Sequence, residues 1–205
     1  MAKKGRRRGS DGEQSRALLL SIAAEEFAVY GYHETKISNI VKKAGVSQPT
    51  FYLYFKSKEA IFQELVDLFR SDLRELTNQI RLEPDIDEAA VAAQIEESLK
   101  QIFRFFDENQ NLTRIGFYVS VESIEIKTLM AAQIEENLVF EVEEGYFRQD
   151  IDMKIAAESL VGVIERLTFH QLFEGLKRPE ELSREVVGFF LYGMLNSRQL
   201  TASYS

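Results

Sequence analysis

The chain has 205 residues, 45% hydrophobic and 28% charged, enough for one sizeable core or a small domain joined to a larger one. It has no cysteine, which excludes a disulfide framework and thiolate chemistry, and its 3 prolines and 11 glycines leave few interruptions, so an all-α fold is expected. The net charge of −8 divides unevenly: residues 1–60 hold 11 Lys/Arg against 6 Asp/Glu (+5) and the remainder 14 against 27 (−13), a basic head on an acidic body.

Residues 1–12 read as a basic arm, because MAKKGRRRGS has no apolar residue beyond Met1 and Ala2 and predicts a segment without fixed structure. Two roles are open to it. Lys3, Lys4, Arg6, Arg7 and Arg8 could follow phosphates or enter a minor groove beside a main site, or they could form a solubilising tail. The apolar run at 17–24 that follows ends in Glu25-Glu26 inside a longer helical pattern. It is too short for an export signal, and no stretch approaches the ~18 apolar residues of a membrane span, so a cytoplasmic location is expected.

The first helix is expected from about Asp11–Gln14, a possible capping box, to Gly31. The stretch Thr35–Lys58, TKISNIVKKAGVSQPTFYLYFKSK, then reads as two short helices about a tight turn. Thr35 is expected to cap the first, Gly45 to open the turn, and Ser47 to cap the second. Pro49, in the first turn, removes only an amide that lacks a helical partner. Phe51 and Phe55 share a face and can pack back on Ile37, Ile40 and Val41, which leaves Gln48, Pro49, Thr50, Tyr52 and Tyr54 outward. This is the layout of a helix-turn-helix, whose second helix enters the major groove by its N-terminal end. The DNA-binding domain is accordingly placed at residues 13–60.

Ser57 can cap a fourth helix whose apolar residues Ile61, Phe62, Leu65, Leu68, Phe69, Leu73 and Leu76 continue past the head, so this helix should join it to the body at 61–205. Asp85 with Glu88, or Asp87 alone, is expected to cap the next helix, running from Ala89 to Phe106. A short loop, DENQN at 107–111, precedes a helix from Leu112 to Val121, and another is expected from about Ile124 to Gly145. Asp152 should cap a helix reaching about Leu176, and Pro179 with Glu180 and Glu181 should start the last. These two helices are apolar around much of their circumference and carry Gly162, Gly188 and Gly193, which suits a homodimer that meets its mate as a four-helix bundle. Closure of the monomer's own core is the alternative.

The run Leu19, Leu20, Ala23, Phe27, then Gly31-Tyr32, Thr35 to Ala44, Gly45-Val46-Ser47, Tyr52-Leu53-Tyr54-Phe55 and Ser57-Lys58-Glu59 resembles the N-terminal domain of TetR-family transcriptional regulators. The likeness covers roughly residues 15–70; beyond it only the length, the helicity and Gly145-Tyr146-Phe147-Arg148-Gln149-Asp150 are similar. The resemblance implies that Gln48 and Pro49 meet base edges, by a paired hydrogen bond to adenine and an apolar contact with a thymine methyl. It places Thr50, Tyr52, Tyr54 and Lys58 on phosphates, and Lys36 and Ser38 near a phosphate or a base; Ser47 is grouped with them. The partners it implies are double-stranded operator DNA, a second copy of the chain through the last two helices, and a small-molecule effector.

Phe103, Phe106, Phe117, Tyr118, Met130, Phe140, Phe147, Phe169 and Phe173 fall on helices that should converge, where TetR-like regulators hold a ligand. Phe103, Phe106, Phe117, Tyr118 and Phe140, with Arg114, Arg166 and His170, form the candidate ligand set. Arg166 and His170 lie four apart and could anchor an anionic amphiphile such as a fatty acid or its thioester, or serve as a buried salt bridge or a dimer contact. Catalysis is not expected: His33 and His170 are the only histidines, no zinc-ligand spacing occurs, and the phosphate-cradling and nucleophile-elbow glycine motifs are missing. No metal or cofactor is expected. The reading is a homodimeric repressor released from DNA by a hydrophobic or amphipathic ligand; the alternative is a constitutive or partner-controlled DNA-binding helical dimer.

Overall fold

The computed structural model describes the backbone at residues 8–80 and 87–194, with side chains from residue 12 except at 88 and 89. Most of the basic arm, the proposed Asp85–Glu88 cap and everything after Met194 therefore lie outside the described residues. Among those described there are nine α-helices and no strand: α1 Arg8–Glu34, α2 Ile37–Ala44, α3 Gln48–Tyr54, α4 Lys58–Gln79, α5 Glu88–Glu108, α6 Gln110–Arg114, α7 Ser123–Glu143, α8 Met153–Leu167 and α9 Pro179–Tyr192. Two π-helical turns, Ile115–Val119 after α6 and Thr168–Leu172 after α8, complete the list.

Local chemistry accounts for many of the helix boundaries. The Ser47 hydroxyl accepts from Thr50 N–H at 3.3 Å, Ser57 from Ala60 N–H at 3.0 Å, and Asp152 Oδ1 from the amides of Lys154 (2.9 Å) and Ile155 (3.2 Å). Glu181 accepts from Arg178 N–H at 3.0 Å at the start of α9. Several boundaries differ from expectation: α1 already begins at Arg8, inside the expected arm and before Asp11–Gln14, and α8 ends at Leu167, its π turn closing at Leu172 rather than near Leu176. Helix α1 resumes beyond Gly31, where φ is 76° and the helical path breaks, and reaches Glu34. Thr35 does not cap α2: Lys36 occupies that position with no side-chain cap, and the Thr35 hydroxyl turns back to Gly31 O (2.7 Å) and Glu26 O (3.1 Å). The expected 107–111 loop shrinks to Asn109, whose side-chain amide donates to Phe105 O at 2.9 Å and closes α5 so tightly that α6 starts at the next residue.

The described residues divide into two compact units, the first extending to Leu73 and including Gln110–Ile126, the second holding those of Arg74–Asn109 and those from Lys127 to Met194. This differs from a boundary at residue 60. The first unit has a core of Leu19, Phe27, Ile40, Phe51, Ile61, Leu65 and Phe69, all at most 2% exposed. Its α4 face extends past residue 60 because Phe69 meets Phe117 edge-on, with ring centroids 5.3 Å apart. Glu122 also accepts from Gln63 at 2.9 Å and pairs with Arg70. Hence α6 and its π turn belong with the head rather than with the helices that flank them in sequence.

In the second unit α5 packs along α9. Leu99, Ile102, Phe103, Phe106, Met130, Val161, Ile164, Leu182, Val186 and Val187 are buried. Arg104 reaches Glu180 at 2.6 Å and Lys127 reaches Glu165 at 3.0 Å, tying α5 to α9 and α7 to α8. The second of these pairs is less than a third exposed on either side, whereas the first is more open and contributes little.

Candidate functional site

Helix α2 ends at Gly45, whose φ of 66° is a left-handed conformation that glycine alone enters without steric cost. Gly45 N–H bonds Lys42 O at 3.3 Å and Val46 N–H bonds Val41 O at 3.0 Å, so the turn satisfies the last carbonyls of α2 as it redirects the chain. Helix α3 is too short to persist alone and is held by Phe51 (0% exposed) and Phe55 (3%), with ring centroids 5.6 Å apart. Arg16 lies over the Phe55 ring at 5.1 Å while its guanidinium meets Glu64 at 2.6 Å.

With Phe51 turned inward, Gln48, Pro49, Tyr52 and Leu53 form the outer face of α3; Thr50 and Tyr54 are half-buried. Lys36, Ser38 and Ser47 are exposed beside it, although the Ser47 hydroxyl is occupied by its cap and by Thr50 Oγ1 at 2.8 Å. Tyr52 is 52% exposed while its ring packs edge-on against Phe51, so its body belongs to the head and its hydroxyl end to solvent. Tyr54 is less free, since a β-carbon placed at Gly12 would stand 3.7 Å from its hydroxyl. Leu53, 80% exposed, was absent from the sequence-derived set. Its position four after Pro49, on the side away from Phe51, was the available signal.

Besides Arg16 and Arg70, Lys43 and Lys58 of the head are committed to protein partners. Lys43 contacts Glu26 at 2.8 Å and Glu25 at 3.3 Å, and its ammonium pKa is raised, first by the hydrogen bond to Glu26 and then by that to Glu25. Lys58, expected on phosphate, instead donates to the backbone carbonyls of Tyr32 (2.8 Å), Thr35 (3.0 Å) and His33 (3.3 Å).

The second unit contains a cavity of about 860 Å³. Its walls are aliphatic: Val91, Ile95, Leu99 and Ile102 of α5 recur at helical spacing and face Ile134 and Leu138 of α7, Leu160 of α8 and Val186 of α9. Tyr146, Phe147 and Arg148, from the turn between α7 and α8, also line it. The charged lining residues among those described are Glu141, Arg148 and Asp152; Arg148 pairs with Asp150 at 2.6 Å, and Asp152 caps α8.

None of the eight sequence-derived ligand candidates lines this cavity. Phe103, Phe106 and Phe117 are at most 1% exposed and serve as core; on α5 the lining ends at Ile102, one turn before Phe106. Arg114 is half-buried, and both it and Phe117 lie in the other unit, as does Tyr118, which is 48% exposed. Phe140 is 38% exposed on α7. Helix α8 offers the cavity only residues up to Leu160, so Arg166 lies beyond its reach, and both Arg166 and His170 are exposed. Of the aromatic residues expected to converge, Phe147 does line the cavity, but most of the wall is Val, Ile, Leu and Ala, which carry no signal beyond helical spacing. No cluster of three or more metal-ligating side chains occurs among the described residues, and no described helix is long and apolar enough to cross a membrane.

The family model for bacterial regulatory proteins of the tetR family matches residues 19–65, from the middle of α1 to the first two turns of α4. Over 186 residues the chain is 46% identical to the uncharacterized HTH-type transcriptional regulator YdgC of Bacillus subtilis (strain 168), covering 91% of this chain and 95% of that one. Among solved structures, the TetR family transcriptional regulator PfmR from Thermus thermophilus superposes with a TM-score of 0.72 at 22% identity, over 87% of this chain and 99% of that one. The transcriptional regulator FadR from Bacillus subtilis, in complex with stearoyl-CoA, does so with a TM-score of 0.66 at 21% identity over 87% and 99%. At these identities the two structural likenesses speak for the fold.

Proposed function

As a member of the TetR family of bacterial regulatory proteins the chain is a transcriptional regulator, and we propose that it is a homodimeric repressor released from operator DNA by a hydrophobic or amphipathic small molecule. The cavity of the second unit carries this reading. Its 860 Å³ lies within the ~300–1,000 Å³ of small-molecule sites, and its aliphatic walls suit an alkyl chain or apolar ring system. A constitutive DNA-binding dimer has no use for such a space. The ligand acts only through its different affinity for the DNA-binding and released conformers.

The relative FadR is described in complex with stearoyl-CoA, and an acyl chain is one fitting occupant here. Anchoring of its head by Arg166 and His170 loses support, because both side chains are exposed and away from the cavity. An anionic head would instead remain outside at Arg148, the one cation among the described lining residues. Exposure favours the dimer role for Arg166 and His170. On α8 and α9 a β-carbon at Gly162 or Gly188 would meet nothing within 4 Å, and Phe189 is 49% exposed. This is open surface with room for a second copy at close range.

DNA is read by Gln48 and Pro49 and held through Thr50, Tyr52, Tyr54, Lys36, Ser38 and Ser47. Gln48→Ala should mainly relax base preference, with a loss of about 1–3 kcal/mol on the preferred sequence. Tyr52→Ala should weaken binding to specific and random duplexes alike. Equal losses on all sequences from Gln48→Ala would remove it from the base-reading set.

Binding of the purified protein to fragments of its own upstream region, with and without long-chain acyl thioesters and neutral hydrophobic compounds, tests the whole reading. We expect tight, salt-sensitive binding that one compound class releases. Ala156→Trp, which intrudes into the cavity wall, should bind the same fragment but need at least ~10-fold more compound for release. Specific binding that no compound releases would favour the constitutive alternative, and release unaltered by Ala156→Trp would move the ligand elsewhere.

A further inference from the structure

An ammonium group has three N–H donors, and three backbone carbonyls surround that of Lys58: Tyr32 O at 2.8 Å, Thr35 O at 3.0 Å and His33 O at 3.3 Å. The same nitrogen stands 4.5 Å from the centroid of the Tyr32 ring. Its donors are all engaged. A phosphate could bind this lysine only if a carbonyl were released.

The arrangement has a physical cause. Lys58 opens α4, where the partial positive charge of a helix N-terminus disfavours a cation. The opposite charge lies at the end of α1, where the break at Gly31 leaves terminal carbonyls without regular helical partners. Tyr32 and His33 belong to that end, and Thr35 to the two-residue link that enters α2. The Thr35 hydroxyl turns back to Glu26 O and Gly31 O. The Lys58 side chain thus supplies donors to the carbonyls of the α1–α2 joint, where Thr35 closes on Gly31 O with both its hydroxyl and its amide. Because α2 has no side-chain cap of its own, the direction in which it leaves the joint depends on these bonds.

We propose that Lys58 is a positioning residue of the DNA-binding head: it fixes the α1–α2 joint against the start of α4, sets the presentation of α3, and makes no phosphate contact. The inference rests on α3 being the DNA-facing helix, and it departs from the phosphate role that the family resemblance assigns to this position. Arginine separates the two roles. Its planar fork serves a phosphate at least as well as lysine does, but cannot direct three hydrogens to three converging carbonyls from one nitrogen.

The test uses full-length Lys58→Met and Lys58→Arg, an upstream duplex and a random-sequence duplex over a range of salt. In the absence of DNA, Lys58→Met should speed amide exchange from Thr35 to Ile40 by at least ~10-fold. With DNA, its affinity for both duplexes should fall by roughly 10-fold while the slope of log K against log salt stays at the wild-type value. Lys58→Arg should recover neither property. A slope reduced by about 0.9 per lysine, or near-wild-type affinity in Lys58→Arg, would overturn the proposal. So would unchanged exchange in both variants. If Lys58→Met does not fold, the Arg variant decides by the same readouts. If the wild-type protein binds no duplex in a salt-sensitive way, the DNA role of α3 fails while exchange still reports on the joint, so the two failures are separable.

Discussion

Gly116→Ala should destabilise the first unit by about 2–3 kcal/mol, a large effect for one methyl group. A β-carbon at residue 116 would stand 2.0 Å from Cδ1, 2.4 Å from Cε1 and 2.8 Å from Cγ of Phe69. Such distances require movement, and the atoms in the way belong to a ring rather than to the end of a flexible chain. Phe69 is 0% exposed and is held edge-on by Phe117, so it has no free volume to enter. The usual gain of up to ~1 kcal/mol for alanine over glycine in a helix offsets only part of this cost. Gly116 lies in the π-helical turn after α6, where the missing side chain admits the Phe69 ring directly against the backbone. Urea unfolding of the variant checks the size. Pairing it with Phe69→Leu should recover part of the loss, through a coupling of opposite sign to the single changes. Wild-type stability in Gly116→Ala would mean that the turn can rearrange around the ring.

Leu53→Glu should leave folding intact and abolish operator binding. Leu53 is 80% exposed, so its replacement should alter stability by no more than about 0.5 kcal/mol. On the outer face of α3, beside Pro49 and Tyr52, the new carboxylate would be pressed toward a phosphate-lined groove. Like charges brought together in an interface cost several kcal/mol, which corresponds to a loss of ~100-fold or more. Leu53→Ala, which removes apolar contact without adding charge, should cost far less. Matched unfolding curves and titrations of the same duplex check both variants. A Leu53→Glu protein that binds as tightly as wild type would place α3 outside the DNA interface.

The punctuation of the helices was legible because each signal acts within about four residues. Ser47, Ser57 and Asp152 accept from amides two or three positions ahead, and Gly45 turns the chain by its own φ of 66°. The inward pair Phe51 and Phe55 follows from helical spacing, as does the outward set around Gln48. A local pattern states which side of a helix is apolar. It does not state what that side meets.

Everything that depended on a meeting partner was settled by the tertiary structure. Thr35 had the right side chain for a cap, but Glu26 O and Gly31 O offered it other acceptors. Lys58 is charged in any reading, yet only the folded joint brings the carbonyls of Tyr32, His33 and Thr35 around it. Phe103, Phe106 and Phe117 are apolar enough for a ligand site and went into the core, while less conspicuous aliphatic residues form most of the cavity lining. The all-helical character, the helix-turn-helix and most helix ends were thus determined by the sequence itself, through short-range hydrogen bonding and backbone sterics. The inclusion of residues 110–126 with the head, the commitment of Lys58 and the walls of the cavity were decided by long-range packing, because burial selects among faces that the sequence leaves equally apolar.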